Sequence, residues 1–234
     1  MDRNSAAALT AALNDGKVHL LLAATGSVAI VKLPSIISAF SEYPNISIRV
    51  ILTQNAARFL MGQAAETPTL EALAALPHVD AVYQDEHEWA EPWQRGSSIL
   101  HIELRRWADL LAIVPLDANT LAKIAGGFCD NLLTSVVRAW DVSPNNPRRP
   151  RIIVAPSMNT AMWLHPITAK QVRVLEEEWG VNGQNPDQGW FEVLRPQSKL
   201  LACGDLGDGA MREWQGIVAV VKDRLSLDGR VGDA

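Results

Sequence analysis

Four short, almost purely apolar runs constrain this chain most: VHLLLAA (18–24), ISIRVIL (46–52), LLAIVPL (110–116) and RIIVAP (151–156). A half-exposed strand alternates apolar and polar residues, whereas a strand covered on both faces reads as a continuous apolar run. Each run ends in turn, hydroxyl or amide residues and is followed by a helix-like segment. Val28 to Phe40 follows Thr25-Gly26-Ser27, with Pro34 inside it, and QNAARFL follows Thr53. DANTLAKIAGGFCDNLLTSVVRAWD follows the third run and breaks at Gly126-Gly127; ITAKQVRVLEEEWG ends at Gly180, and REWQGIVAVVKDRL is the last helix. EALAALPHVDAVY reads as a short helix and strand, DEHEWAEPWQRGSS and VSPNNPRRP as surface loops, and the approach to Leu200 as irregular. Strands alternating with helices give an α/β fold, a parallel sheet wound on both faces. We expect one domain over 18–225, with flexible ends at 1–17 and 226–234.

At 234 residues the chain is long enough to bury a core without staples. Its net charge of −5 argues against nucleic acid or an anionic membrane as the main partner. The two cysteines, Cys129 and Cys203, make no spaced framework, and His and Cys spacing matches no zinc site, so no metal is expected. The first fifteen residues lack the pattern of a secretory signal, and no apolar stretch approaches a membrane span. The expectation is a soluble protein of a reducing compartment, the cytoplasm.

Ligands of wound sheets sit at the carboxyl ends of the strands. Three strand-end loops there, TGS, PLDANT and APSMNTAMW, place small, hydroxyl or amide side chains at helix starts, where unpaired N–H groups favour an anion. TGS lacks both the dinucleotide glycine spacing and the Walker lysine, and with Thr53 it suits a mononucleotide better than a dinucleotide. Asp117 or Asn119 equally reads as a helix cap. Asn159, between methionines and ahead of Trp163, reads as a buried amide that either brackets the structure or grips a ligand. His101 is the best acid–base candidate of the five histidines, and His19, inside a strand, reads as structural. Cys203 lies in the glycine-rich ACGDLGDGAM, as a mobile lid would need, and Cys129 reads as packing.

Taken together, TGSVA, LHIELRRWADLLAIVPLDANTLAKIAGGFCDNLLTSVVRAWD, PSMNTAMWLHPIT and KLLACGDLGDGAM resemble, in order and spacing, the phosphopantothenoylcysteine decarboxylases. These belong to the homo-oligomeric flavin-containing cysteine decarboxylases. The resemblance implies a flavodoxin-like sheet and a homotrimer with FMN between subunits. It implies that Gly26, Ser27 and Thr53 hold the phosphate side of FMN, and that Phe59, Asp117, Ala118, Asn119 and Thr120 contact the rest. His101 matches the family's active-site histidine and Asn159, with Met158, its substrate-gripping motif. Cys203 matches the reactive cysteine of a flexible flap that reaches Ala210 and Met211. The implied reaction takes 4′-phosphopantothenoylcysteine to 4′-phosphopantetheine in coenzyme A biosynthesis. Transient oxidation beside sulfur gives a thioaldehyde, which accepts the electrons released with CO₂; protonation by Cys203 and return of the hydride then finish the product.

Two other readings come with the resemblance. Some fungal relatives are inhibitory subunits of a protein phosphatase, with a long acidic tail that SLDGRVGDA does not resemble. Sister enzymes act on a peptide's terminal cysteine, or transfer prenyl groups to flavin; ACGDLGDGAM argues for the coenzyme A branch.

Overall fold

The computed structural model describes residues 4–61, 68–90, 92, 94–143, 145–146, 148–184, 189–200 and 206–229. In chain order the first half contains α1 (Ala6–Ala11), β1 (Val18–Ala24), a 3₁₀ turn (Val28–Lys32), α2 (Leu33–Ser38), β2 (Ile46–Leu52), α3 (Gln54–Leu60), α4 (Leu70–Ala74) and β3 (Val79–Tyr83). A second 3₁₀ turn (Asp85–Trp89) precedes α5 (Leu100–Trp107), β4 (Leu110–Leu116), α6 (Ala118–Gly126) and α7 (Leu132–Arg138). Then come β5 (Arg151–Pro156), α8 (Thr160–Trp163), α9 (Pro166–Arg173) with a π turn (Val174–Glu178), β6 (Phe191–Val193), β7 (Gln197–Leu200), β8 (Leu206–Ala210) and α10 (Trp214–Arg224).

The four apolar runs are β1, β2, β4 and β5, with the bounds read from the sequence. Six parallel strands form one sheet in the order β3-β2-β1-β4-β5-β6. Successive residues of a strand face opposite sides. Leu20 and Leu22 pack with Ile30, Ile48 and Ile217 on one side of the sheet. Leu21 and Ala23 pack with Trp107, Leu111 and Leu121 on the other. Both faces are buried, which is why β1 lacks polar alternation apart from His19 near its start; each buried Leu or Ile is worth about 1.5–3 kcal/mol.

The doubly wound sheet expected from the sequence is present, in the strand order of the Rossmann branch of that class. Core residues of α2, α3 and α4 lie on the first face, and those of α5, α6, α7 and α9 on the second. The winding therefore reverses between β1 and β4, and a crevice opens at their carboxyl ends. Pro34 stands in the first turn of α2, after a 3₁₀ turn, where its missing N–H costs no helical bond. Gly127 ends α6 with φ 74°, the left-handed conformation glycine takes without strain.

Near the two ends of the chain the described residues carry more structure than a frayed terminus, while 1–3 and 230–234 lie outside the described residues. The start, read as frayed, carries α1, capped by Ser5 and anchored by fully buried Leu9. Thr10 Oγ1 also donates to Glu103 of α5 (3.1 Å). Near the other end, Leu227 is buried against the first face. The approach to Leu200, read as irregular, supplies β6 and β7, and β7 pairs antiparallel with β8 from the glycine-rich stretch. Among the described residues no helix is long and apolar enough to cross a membrane.

Candidate functional site

The strand ends β1 and β4 are laced by one hydroxyl. Thr25 Oγ1 donates to the Pro115 carbonyl (2.9 Å) and accepts from the Asp117 N–H (2.6 Å). This fixes the Gly26-Ser27 turn beside the first turn of α6, where Asp117 Oδ1 accepts from the Thr120 N–H at 2.8 Å. Ser27 Oγ donates to Ser157 Oγ (2.9 Å), joining the end of β1 to that of β5. The next residues, Met158 and Asn159, are held by the hairpin: Met158 N–H donates to the Gly209 carbonyl at 2.9 Å.

These contacts enclose a cleft of about 480 Å³, within the size range of small-molecule sites. Its lining includes Gly26, Ser27, Phe59, Asp117, Ala118, Asn119, Met158, Asn159, Ala210 and Met211, so the structure brings most of the sequence-selected residues together. Thr53 and Thr120 do not line it. Thr53 is buried and caps α3 by accepting from the Ala56 N–H (3.3 Å), and buried Thr120 acts through Asp117. Gly26 is cramped: a Cβ there would lie 2.8 Å from Asn55 Cβ and 2.9 Å from Asp117 Oδ2.

The reading of Asn159 as a buried amide is corrected. Asn159 is exposed at the cleft, where its Oδ1 caps α8 by accepting from the Ala161 N–H at 2.8 Å. The side-chain amino group has no partner among the described residues, which leaves two donors for a ligand's oxygen. Cys129, read as packing, is exposed. His19 is buried as expected, stacked on Trp107 at 4.5 Å. Cys203 lies outside the described residues.

His101 does not line the cleft of its own chain. It sits in the first turn of α5, where Nδ1 lies 2.7 Å from Glu88 Oε1. Sequence reasoning missed Lys32 in the 3₁₀ turn, Arg212 just before α10 and Trp214 at its start, and took the strand-end loop of Ser157 and Met162 as a candidate without naming either as a site residue. Ser157 had a signal, its place directly after an apolar strand. Arg212 and Trp214 had none, because only the return of α10 to the first face brings them there.

The turn that carries Glu88 also carries Asp85, whose carboxylate accepts from the Leu132 N–H at the start of α7 (3.1 Å). Burial, aided by the charges of Glu86 and Asp130, holds this carboxyl above its usual range against the Leu132 bond and Lys123. A raised folded-state value stabilises the fold below the unfolded value, and that contribution is lost as pH rises through the folded one. Asp85→Asn keeps the acceptor without the charge. It is expected to raise the melting temperature near pH 7, with the gain fading toward about pH 4, the ordinary unfolded-state value near which the carboxyl is becoming neutral in both states. Thermal unfolding at both pH values checks this.

A wound parallel sheet with a ligand-sized cleft at its switch point defines an α/β protein of the nucleotide- or cofactor-binding class. The chain belongs to the Flavoprotein family, whose family model matches residues 9–226. Its relatives include the mouse phosphopantothenoylcysteine decarboxylase, 43% identical over 92% of this chain and 91% of that one. A Schizosaccharomyces pombe protein named probable thymidylate synthase is 42% identical over 92% of this chain but only 31% of its own length, so the chain spans about a third of that relative. Among solved structures, a PPC decarboxylase cysteine-to-serine mutant complexed with pantothenoylaminoethenethiol is similar with TM-score 0.70 and 39% identity, covering 88% of this chain and 97% of that one. The FMN binding protein AtHal3 is similar with TM-score 0.69 and 39% identity, covering 92% and 99%.

Proposed function

We propose that this protein is an FMN-dependent decarboxylase that converts 4′-phospho-N-pantothenoylcysteine to 4′-phosphopantetheine in coenzyme A biosynthesis. One observation carries the reading: a single cleft joins a cramped glycine turn and a helix start on one side to the Met158–Asn159 corner and Met211 on the other. The residues fit a flavin nucleotide. Gly26 leaves no room for a side chain between Asn55 and Asp117, so this turn runs along the cleft as bare backbone, which suits a ligand's phosphate. Phe59, Met158, Met162, Met211 and Trp214 supply apolar lining for a flat ring system. FMN, when bound, would supply a reversible store for a hydride, so that the oxidised substrate itself can take up the electrons that loss of CO₂ releases.

The chain's own residues do the rest. Gly26 and Ser27 hold the phosphate end, with Thr53 firming the neighbouring start of α3. Asp117, Ala118 and Asn119 border the middle of the cofactor, and Thr120 keeps Asp117 in place. Asn159 offers its amino group to the substrate carboxylate while Met158, Ala210 and Met211 close around the thiol-bearing end. The species that waits for a proton after CO₂ leaves is an ene-thiol, a reading supported by the solved relative's complex with pantothenoylaminoethenethiol. Cys203 donates that proton. The expected setting is the cytoplasm, where a flap thiol stays reduced.

Within one chain His101 is not at the cleft, so the reading requires a second copy to deliver it, as in a homotrimer. Val28, Phe59, Met61, Met162, Leu164 and Ile167 are large exposed apolar residues, and several lie on the cleft's own rim, as an interface there would require.

The test is direct. The purified protein should be yellow, release FMN on denaturation, and convert 4′-phosphopantothenoylcysteine to CO₂ and 4′-phosphopantetheine. A flavin-loaded protein that leaves this substrate untouched would sink the decarboxylase reading. Gly26→Ala is expected to weaken flavin retention about 5- to 150-fold, the equivalent of the roughly 1–3 kcal/mol that overpacking costs. Equilibrium titration of the apoprotein with FMN measures it.

A further inference from the structure

His101 is gripped by one carboxylate in two places. Glu88 Oε2 accepts the His101 backbone N–H at 3.1 Å, and Glu88 Oε1 lies 2.7 Å from the ring Nδ1. The helix explains the first contact. Ile99, at the N-cap of α5, makes no side-chain cap bond, so the first-turn donors need an acceptor from elsewhere. A carboxylate at a helix start is also favoured by the helix dipole. Glu88 is nearly buried, with 6% of its side chain exposed, while 23% of the His101 side chain remains open.

The second contact has a chemical consequence. An ionised carboxylate only accepts hydrogen bonds, so Nδ1 must donate. Nε2 makes no hydrogen bond among the described residues. In the neutral ring it therefore carries the lone pair and is the nitrogen open to a proton.

The turn that presents Glu88 is itself fixed from three sides. His87 Nδ1 lies 3.0 Å from the Gln84 nitrogen and 3.2 Å from its carbonyl oxygen, His87 Nε2 lies 3.0 Å from Asn4 Nδ2, and Asp85 holds the start of α7. A carboxylate mounted on such a bracket imposes its geometry on the imidazole rather than following it.

We propose that Glu88 is the positioning residue of the reaction: it locks His101 in the Nδ1–H tautomer and so makes Nε2 the atom that handles a proton. The tautomer stands on the geometry alone, whereas the proton-handling role rests on the decarboxylase reading above. A mere helix cap would hold the backbone N–H and leave the ring indifferent.

Glu88→Gln separates the two. The amide has one acceptor for two donors. With its oxygen on the His101 backbone N–H, its amino group faces Nδ1, which must then accept. The ring is expected to switch to the Nε2–H tautomer. Nitrogen NMR of histidine-labelled protein, with His101→Gln to assign the signal, reads this without substrate. Turnover should fall about 10- to 100-fold in kcat, with KM and bound flavin nearly unchanged. Glu88→Asp keeps an acceptor-only carboxylate, so it should retain the Nδ1–H form and more activity than Gln; it also serves if Gln folds poorly. An Nε2–H tautomer in the unmodified protein overturns the proposal, whatever the enzyme turns over. A switched tautomer with unchanged kcat overturns it too, and leaves the decarboxylase reading intact. If the unmodified protein shows the Nδ1–H form but does not decarboxylate, that reading and the proton-handling role fall together, while the tautomer assignment stands.

Discussion

Exchange of Cys203 for serine is expected to uncouple CO₂ release from formation of the final product. Under the proposed reaction the substrate loses its carboxylate once the carbon beside sulfur has been oxidised. The released electrons come to rest in an ene-thiolate. Completing the product then requires a proton at carbon and the return of a hydride. A thiol has an ordinary pKa of about 8.5, close enough to neutrality to give up a proton readily. A serine hydroxyl is a far weaker acid, and its greater ability to accept hydrogen bonds does not compensate. The first CO₂ should leave at close to the normal rate, because the steps before it do not use the thiol. Steady-state formation of 4′-phosphopantetheine should fall by about 10²- to 10⁴-fold, the range associated with losing a positioned general acid. The oxidised ene-thiol should accumulate in its place. Rapid quenching with mass spectrometry distinguishes the two products. Normal yield of the saturated product from the serine variant would remove Cys203 from the mechanism while leaving the flavin cleft untouched.

The sequence disclosed the frame of the sheet because burial on both faces leaves an unmixed apolar signature. β1, β2, β4 and β5 carry it over six or seven residues each. β6 carries only Phe191–Val193 and borrows its place from its pairing with β5, which no local pattern announces. β7 and β8 pair although LGDGA is poor in strand-forming residues; tertiary contact with the Met158 corner overrides propensity there. α1 went unseen because its sequence, AAALTA, is small and short, and its anchor is a single leucine. The candidate site was legible where it follows the strand-end rule, at Gly26, Asp117 and Met158. It was illegible where long-range packing supplies the residue. Lys32 comes with a 3₁₀ turn, Arg212 and Trp214 with the return of α10, and Glu88 with a loop that folds back thirteen positions onto His101.

Gly209 is the position where one added methyl group should do most harm to the site and little to the sheet. Its carbonyl accepts the Met158 N–H, and a Cβ there would stand 2.1 Å from the Met158 carbonyl oxygen and 3.3 Å from the Asn159 carbonyl carbon. All the nearest atoms are backbone, so no side chain can swing aside. Gly209→Ala must therefore push β8 away from the corner that carries Asn159. A shift of about 1 Å in a substrate-positioning group can cost about 10²-fold in rate. We expect kcat/KM to fall by about 10²-fold or more. Flavin binding should change far less, since Gly26, Ser27 and Asp117 are held by the ends of β1 and β4. Gly216 provides the internal comparison. A Cβ there meets only the Arg212 side chain, at 3.3 Å and beyond, and the residue lies within α10. Alanine in place of that helical glycine should stabilise by up to about 1 kcal/mol unless Arg212 resists moving. Thermal melts and substrate kinetics on the two variants decide the matter. A Gly209→Ala protein with unaltered kinetics would mean that the hairpin does not position Asn159, and the substrate grip would have to be sought elsewhere in the cleft.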